Sequence, residues 1–219
     1  MSTRIITIDG PAGAGKTTVS KLLSKKLGIV YVDTGAIYRG VAFEIQNHEI
    51  EWENDYILAS FLKELDLKFI NKNGAFILMS SGRDITPFIR TPEISILASS
   101  SSAKPQVREA LLDIQREISA TQDAVFEGRD MGTVVFPEAE YKFYLFADLT
   151  IRAKRRYDEM PDKIKDISIV QEEMQARDRN DSHRETAPLK PALNAVKIDS
   201  TLLTVEQVVE KMLKIIEKA

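Results

Sequence analysis

The sequence predicts an α/β fold, a mostly parallel five-stranded sheet flanked by helices. Three observations carry that expectation. Five short apolar runs of strand length are spread along the chain. Stretches with helical spacing separate them. Strands that alternate with helices need crossover connections, which give parallel pairing and a sheet covered on both faces.

Each element has its own signal. Ile5 to Ile8 reads as a buried strand. Val19, Leu22, Leu23 and Leu27 recur at helical spacing, and Gly28 stops that helix. Ile29 to Val32 is a second strand. Val107, Leu111, Ile114 and Ile118 line a helix that Pro105 opens near a first-turn position. Ala124 to Phe126, Lys142 to Ala147 and Val196 to Ile198 supply three more strands. In the last helix Val205, Val208, Val209, Met212, Leu213 and Ile216 share a face, and Thr204 and Gln207 have capping-box spacing.

Two segments break the rhythm. Leu67 to Ile70 and Ala75 to Met79 flank Asn71-Lys72-Asn73-Gly74, which reads as an antiparallel hairpin inserted on the sheet domain. Arg152 to Arg184 is densely charged with both signs and is broken at Met160-Pro161. It reads as a solvated helical pair or, functionally, as a mobile lid.

Composition removes several chemistries. With no cysteine there is no disulfide, thiolate metal site or cysteine nucleophile. Only His48 and His183 are present, so a multi-histidine metal site is not expected. A net charge of −3 argues against a broad nucleic-acid face. No apolar run approaches membrane-spanning length, and the N-terminal run is too short for a secretory core. A cytoplasmic monomer without membrane or nucleic-acid partners is the expectation.

The chemistry gathers in four clusters. Gly10, Pro11, Ala12, Gly13, Ala14, Gly15, Lys16 and Thr17 fit G-x-x-x-x-G-K-[ST] between a strand and a helix, followed by Thr18. Glycines let the backbone N–H groups curl around phosphate, and the helix N-terminus adds positive potential. Lys16 can reach the β- and γ-phosphates of ATP, and the Thr17 hydroxyl can ligate Mg²⁺. The GTPase motifs D-x-x-G after a strand and N-K-x-D are missing. A short chain with an insert and a charged lid then suggests a small-molecule kinase, so the fold becomes a P-loop kinase core with a small antiparallel insert and a helical lid. Asp33-Thr34-Gly35-Ala36-Ile37-Tyr38-Arg39 follows the second strand, where α/β sheets bind ligands. It reads as a ligand site or as a plain helix start capped by Thr34. Glu127-Gly128-Arg129-Asp130-Met131-Gly132-Thr133 follows another strand and reads as a crevice site or a structural ion pair. Arg177, Asp181 and Arg184 lie at i, i+4 and i+7, one face if the helix continues. Guanidinium forks suit phosphoryl oxygens. An exposed salt-bridged helix is the other reading, and His183 reads as a solvated bystander.

Together these segments resemble the bacterial cytidylate kinase family of P-loop nucleoside monophosphate kinases over essentially the whole chain. Val107-Arg108-Glu109-Ala110-Leu111, Gly128 through Pro137 and Ile198-Asp199-Ser200-Thr201 share in the resemblance. It implies ATP-dependent, Mg²⁺-assisted phosphorylation of CMP and dCMP to CDP and dCDP. It also implies one kinase unit over 1–219: core at 1–34, 104–151 and 189–219, a monophosphate-binding region at 35–103 with its sheet near 66–85, and a lid at 152–188. By resemblance, Thr34, Arg39 and Arg129 hold the acceptor phosphate. Ser99, Arg108 and Asp130 read the cytosine. Tyr38, Arg177, Asp181 and Arg184 frame ribose and phosphates as the lid closes, with Lys16, Arg129, Arg177 and Arg184 as the catalytic set. The chain departs from relatives at Thr17, Asn180, Ser182 and Asn194. A P-loop kinase for another nucleotide or metabolite, and a regulatory nucleotide-binding module, are the competing readings. Whether Arg108 and Asp130 converge on a base separates the first, and binding without turnover the second.

Overall fold

The computed structural model describes residues 3–72, 75–160 and 166–218. The elements in chain order are β1 (Ile5–Asp9), α1 (Lys16–Leu27), β2 (Val30–Asp33), α2 (Thr34–Asn47), α3 (Asp55–Glu64), β3 (Leu67–Lys72), β4 (Ala75–Ser80), β5 (Arg83–Asp84), α4 (Pro92–Ser101), α5 (Pro105–Ser119), β6 (Ala124–Gly128), a π-helical turn (Met131–Val135), β7 (Tyr141–Phe146), α6 (Leu149–Asp158), α7 (Ile167–His183), β8 (Val196–Asp199) and α8 (Val205–Ile216). All five expected sheet strands are present. They pair in parallel in the order β2-β6-β1-β7-β8.

The order places β1 in the centre, with β6 and β7 beside it. Helices α1 and α8 cover one face. Ile6, Ile8, Val19, Leu23, Val209 and Met212 meet there almost fully buried. Burying one such side chain stabilises the fold by roughly 1.5–3 kcal/mol. The α8 capping box forms as its spacing predicts: the Thr204 hydroxyl accepts from Gln207 N–H, and the Gln207 side chain accepts from Thr204 N–H. On the other face Val32, Phe126, Met131 and Phe136 pack together.

The insert is a three-stranded antiparallel sheet, β3-β4-β5, one short strand more than the hairpin pattern shows. β5 is two residues long, too short to carry a periodicity. The turn residues Asn73 and Gly74 lie outside the described residues, as does Pro161 at the expected break in the lid. Leu67, Leu78 and Ile85 join Ile37, Val41 and Leu58 in a second core, so the insert is anchored on α2.

Three expectations change in detail. Asp33, not Thr34, stands at the N-cap of α2, and its side chain makes no capping bond. Helix α7 ends at His183, and Arg184 follows with extended backbone, φ −63° and ψ 142°. The segment expected to be a lid also has an apolar seam: Ala153, Val170 and Met174 are buried against Ala12, Leu149 and Tyr157. Its start is not solvated either, since Arg152 is among the buried charged residues.

Candidate active site

The carboxyl ends of β1, β2 and β6 meet at one crevice. β1 runs straight into the phosphate loop. Gly10 has φ +149°, and a Cβ there would lie 1.9 Å from the Leu145 carbonyl oxygen on β7. Gly13 has φ +71°, and its Cβ would stand 2.7 Å from Met174 Cε and 3.0 Å from Arg152 Cβ. Only glycine fits either place without moving the Leu145 backbone or the Met174 and Arg152 side chains. Gly15 caps α1 in the left-handed conformation, and its carbonyl accepts from Val19 N–H at 3.0 Å. Two further loop carbonyls are pinned from outside. Arg152 donates to Ala12 O at 3.0 Å, and Ser200 Oγ donates to Ala14 O at 3.0 Å. Thr18 is exposed on the first turn of α1.

Lys16 is buried, and its ammonium donates to Pro11 O at 2.8 Å. Burial lowers its pKa to about 7, and repulsion from Arg129 and Arg177 acts the same way against Glu127 and Asp9. Thr17 Oγ1 donates to Glu127 Oε1 at 2.8 Å, and Tyr31 Oη donates to Glu127 Oε2 at 3.1 Å. Burial raises the Glu127 pKa, with Asp33 adding repulsion. A hydroxyl and a carboxylate side by side at the strand end are hard oxygen donors of the kind Mg²⁺ takes while keeping most of its waters. The donor set fits that ion.

The side of the crevice formed by α2, α7 and the end of β6 is rich in guanidinium. Thr34 is buried at the start of α2, and its hydroxyl donates to Glu127 O at 2.6 Å. Arg39 and Arg90 both donate to Asp33 Oδ2, at 2.7 and 3.0 Å. Arg129 donates to Asp181 Oδ2 at 3.0 Å. Arg177 Nε and Arg39 Nε are buried without a hydrogen-bond partner. The Arg177 pKa falls to about 10, mainly through burial and then through repulsion from Arg129, with Arg39 adding to it. Burial pushes the Asp181 carboxyl up, yet Arg129, Arg177 and Arg184 together hold it below the usual carboxylate range. The centre is thus short of negative charge, with buried N–H donors unused. Such a centre suits a phosphate.

Further along, Asp130 is 2% exposed and pairs with Arg108 Nη2 through Oδ2. Arg184 Nη2 stands 3.6 Å from the other oxygen, Oδ1. The Tyr38 ring lies 5.2 Å from the Arg108 guanidinium carbon. Arg184 Nε donates to Ala187 O at 2.7 Å. Ser99 sits on α4 with its hydroxyl buried and unpartnered. His183 is exposed and contacts Arg179 O, away from this cluster.

The crevice therefore brings together Lys16, Thr17, Thr34, Tyr38, Arg39, Arg108, Arg129, Asp130, Arg177, Asp181 and Arg184. Sequence reasoning named Asp33 and Glu127 only as members of their clusters, with no individual role, and assigned none to Asp9, Arg90 or Arg152. Asp9, Asp33 and Glu127 carried a readable signal, a carboxylate closing an apolar strand at its ligand-binding end. Arg90 and Arg152 carried none, because their partners Asp33 and Asp178 are 57 and 26 residues away. Asn194, a departure without a sequence rationale, has one here: its Oδ1 accepts from the buried Lys142 ammonium at 3.0 Å.

A family model described as cytidylate kinase matches residues 6–218. The cytidylate kinase of Geobacter sulfurreducens is 43% identical over 216 residues, covering 98% of this chain and 93% of that protein. That of Thermosipho melanesiensis is 48% identical over 215 residues, covering 97% and 96%. Among solved structures, shikimate kinase from Bacteroides thetaiotaomicron matches with a TM-score of 0.50 at 13% identity over 98% of each chain, a likeness of fold.

Proposed function

The chain belongs to the cytidylate kinase family, and from that premise we propose that it transfers the γ-phosphoryl group of ATP to the phosphate of CMP or dCMP, yielding ADP and CDP or dCDP. One observation carries the reading. A phosphate loop and an Asp130–Arg108 pair face one crevice, with the under-neutralised cluster of Arg39, Arg129 and Arg177 among them.

The acceptor phosphate is an anion at neutral pH, so the site needs no strong base. What it needs is alignment and charge neutralisation. Lys16 and the loop N–H groups bind the donor's β- and γ-phosphates. Arg39, Arg129 and Thr34 bind the acceptor phosphate, and Arg177 with its unused Nε lies ready for the group in flight. Thr17, backed by Glu127, would hold Mg²⁺, which neutralises phosphate charge when bound. Asp130 accepts from the cytosine 4-amino group, and Arg108 donates to ring or carbonyl acceptors. A carboxylate can only accept, so the 4-carbonyl of uracil would face it acceptor to acceptor and leave that buried contact without a hydrogen bond. Tyr38 and Ser99 bound the nucleoside, with the unpartnered Ser99 hydroxyl free to bond it. Asp181 and Arg184 carry the lid to this site. Closure excludes water that would otherwise hydrolyse ATP.

The test is a coupled ADP-release assay with ATP, Mg²⁺ and a panel of nucleoside monophosphates. CMP and dCMP should exceed UMP and the purine monophosphates in kcat/KM. Equal rates across the panel, or ADP release only without acceptor, would overturn the reading.

A further inference from the structure

We propose that Asp9 is a positioning residue for acceptor-base recognition, holding the backbone that carries Asp130 against the start of the phosphate loop. Asp9 is the last residue of β1 and is 3% exposed. Its Oδ1 accepts from Met131 N–H and its Oδ2 from Gly132 N–H, each at 2.8 Å. These are the first two residues of the π-helical turn, and Asp130 is its N-cap, with φ −144° and ψ 23°. Each carboxylate oxygen is thus committed to one backbone donor next to the base-facing residue.

Neither end of this link has slack. Gly10 follows Asp9 and lies against the Leu145 carbonyl. The turn lies directly on β1, since a Cβ on Gly132 would come within 3.0 Å of Thr7 Oγ1. A neutral, partly donating group in place of the carboxylate would face an N–H with another donor. The turn must then shift, and the Asp130 carboxylate moves away from the Arg108 and Arg184 guanidiniums. Donor phosphates, held by the loop and by Lys16, do not use these two hydrogen bonds, and the Asp9 charge reaches them only through Lys16. The inference rests on the reading that Asp130 discriminates the base.

The charged groups facing Asp9 agree with a link that a proton can loosen. Burial raises its pKa to about 6, against the two backbone N–H groups; Asp130 raises it further and Lys16 on α1 opposes. Tyr144 on β7 also feels its charge.

The experiment compares wild type, Asp9→Asn and Asp130→Asn by kcat/KM for CMP and for UMP at about pH 7.5, with KM for ATP. The ratio of the two acceptors cancels the ionisation of the shared phosphate. Asp9→Asn should lower the CMP-to-UMP ratio about fivefold or more; any change in ATP binding through Lys16 acts on both acceptors alike and cancels in the ratio. A merely structural role would lower both acceptors alike and leave the ratio unchanged, which would overturn the proposal. If Asp130→Asn also leaves the ratio unchanged, the base-reading assignment itself fails. Should Asp9→Asn not fold, the wild-type ratio between about pH 7.5 and 5.5, where both bases stay neutral, decides. The ratio should fall as Asp9 takes up its proton, and a flat ratio would refute the link.

Discussion

Mg·nucleotide binding should make the enzyme take up a proton through Lys16. The free site holds this ammonium buried beside two arginines, with a pKa of about 7. Bound phosphates put several negative charges beside it and return its pKa toward the ordinary value of about 10.4. At about pH 8 the free lysine is then only about 9% charged, so binding draws in about 0.9 proton. At about pH 6 it is already about 90% charged, and uptake falls to about 0.1 proton. Above pH 7 the affinity for a non-hydrolysable ATP analogue should therefore weaken by up to about tenfold per pH unit. The assay is isothermal titration of that analogue with Mg²⁺ in two buffers of widely different ionisation enthalpy. The apparent binding enthalpies should diverge at pH 8 and converge at pH 6. Lys16→Met should abolish the divergence while the protein stays folded. Equal enthalpies at pH 8 in wild type would mean that Lys16 is fully charged in the free enzyme, and the argument from its burial would be wrong.

Lys16→Ala should lower kcat by about 10²–10³ or more, because the lost charge acts on the transition state; steady-state turnover near wild type would refute the loop's role. Gly10→Ala should destabilise by about 3 kcal/mol or more, since left-handed strain of roughly 1–3 kcal/mol adds to the clash with Leu145 O; urea unfolding with an unchanged midpoint would count against the geometry. CMP together with the ATP analogue should protect the segment 152–188 from limited proteolysis, as Arg177 and Asp181 gain phosphate and sugar contacts; equal cleavage with and without ligands would oppose closure. Asn194→Asp should raise Tm by about 2–4 °C, because a charged acceptor strengthens the bond to the buried Lys142 ammonium by about 1 kcal/mol; calorimetry showing no rise would place that bond in solvent-screened surroundings.

The sequence by itself determined the sheet, the phosphate loop and the order of the motifs. Those signals are local: a strand of four or five apolar residues, a helix with one apolar face, a glycine-rich turn between them. The Thr204–Gln207 cap and the Gly28 stop are local as well, and both appear where their spacing places them. Tertiary structure alone decided the strand order, the third strand of the insert and the pairing of charges. Asp33 receiving Arg90, Asp9 holding Met131 and Gly132, and Glu127 receiving Thr17 and Tyr31 are contacts between segments far apart in the chain. A carboxylate at a strand end announces a site, but its partner depends on which strands lie side by side. That is set by how the apolar faces bury together, a property of the whole core that no window of sequence contains.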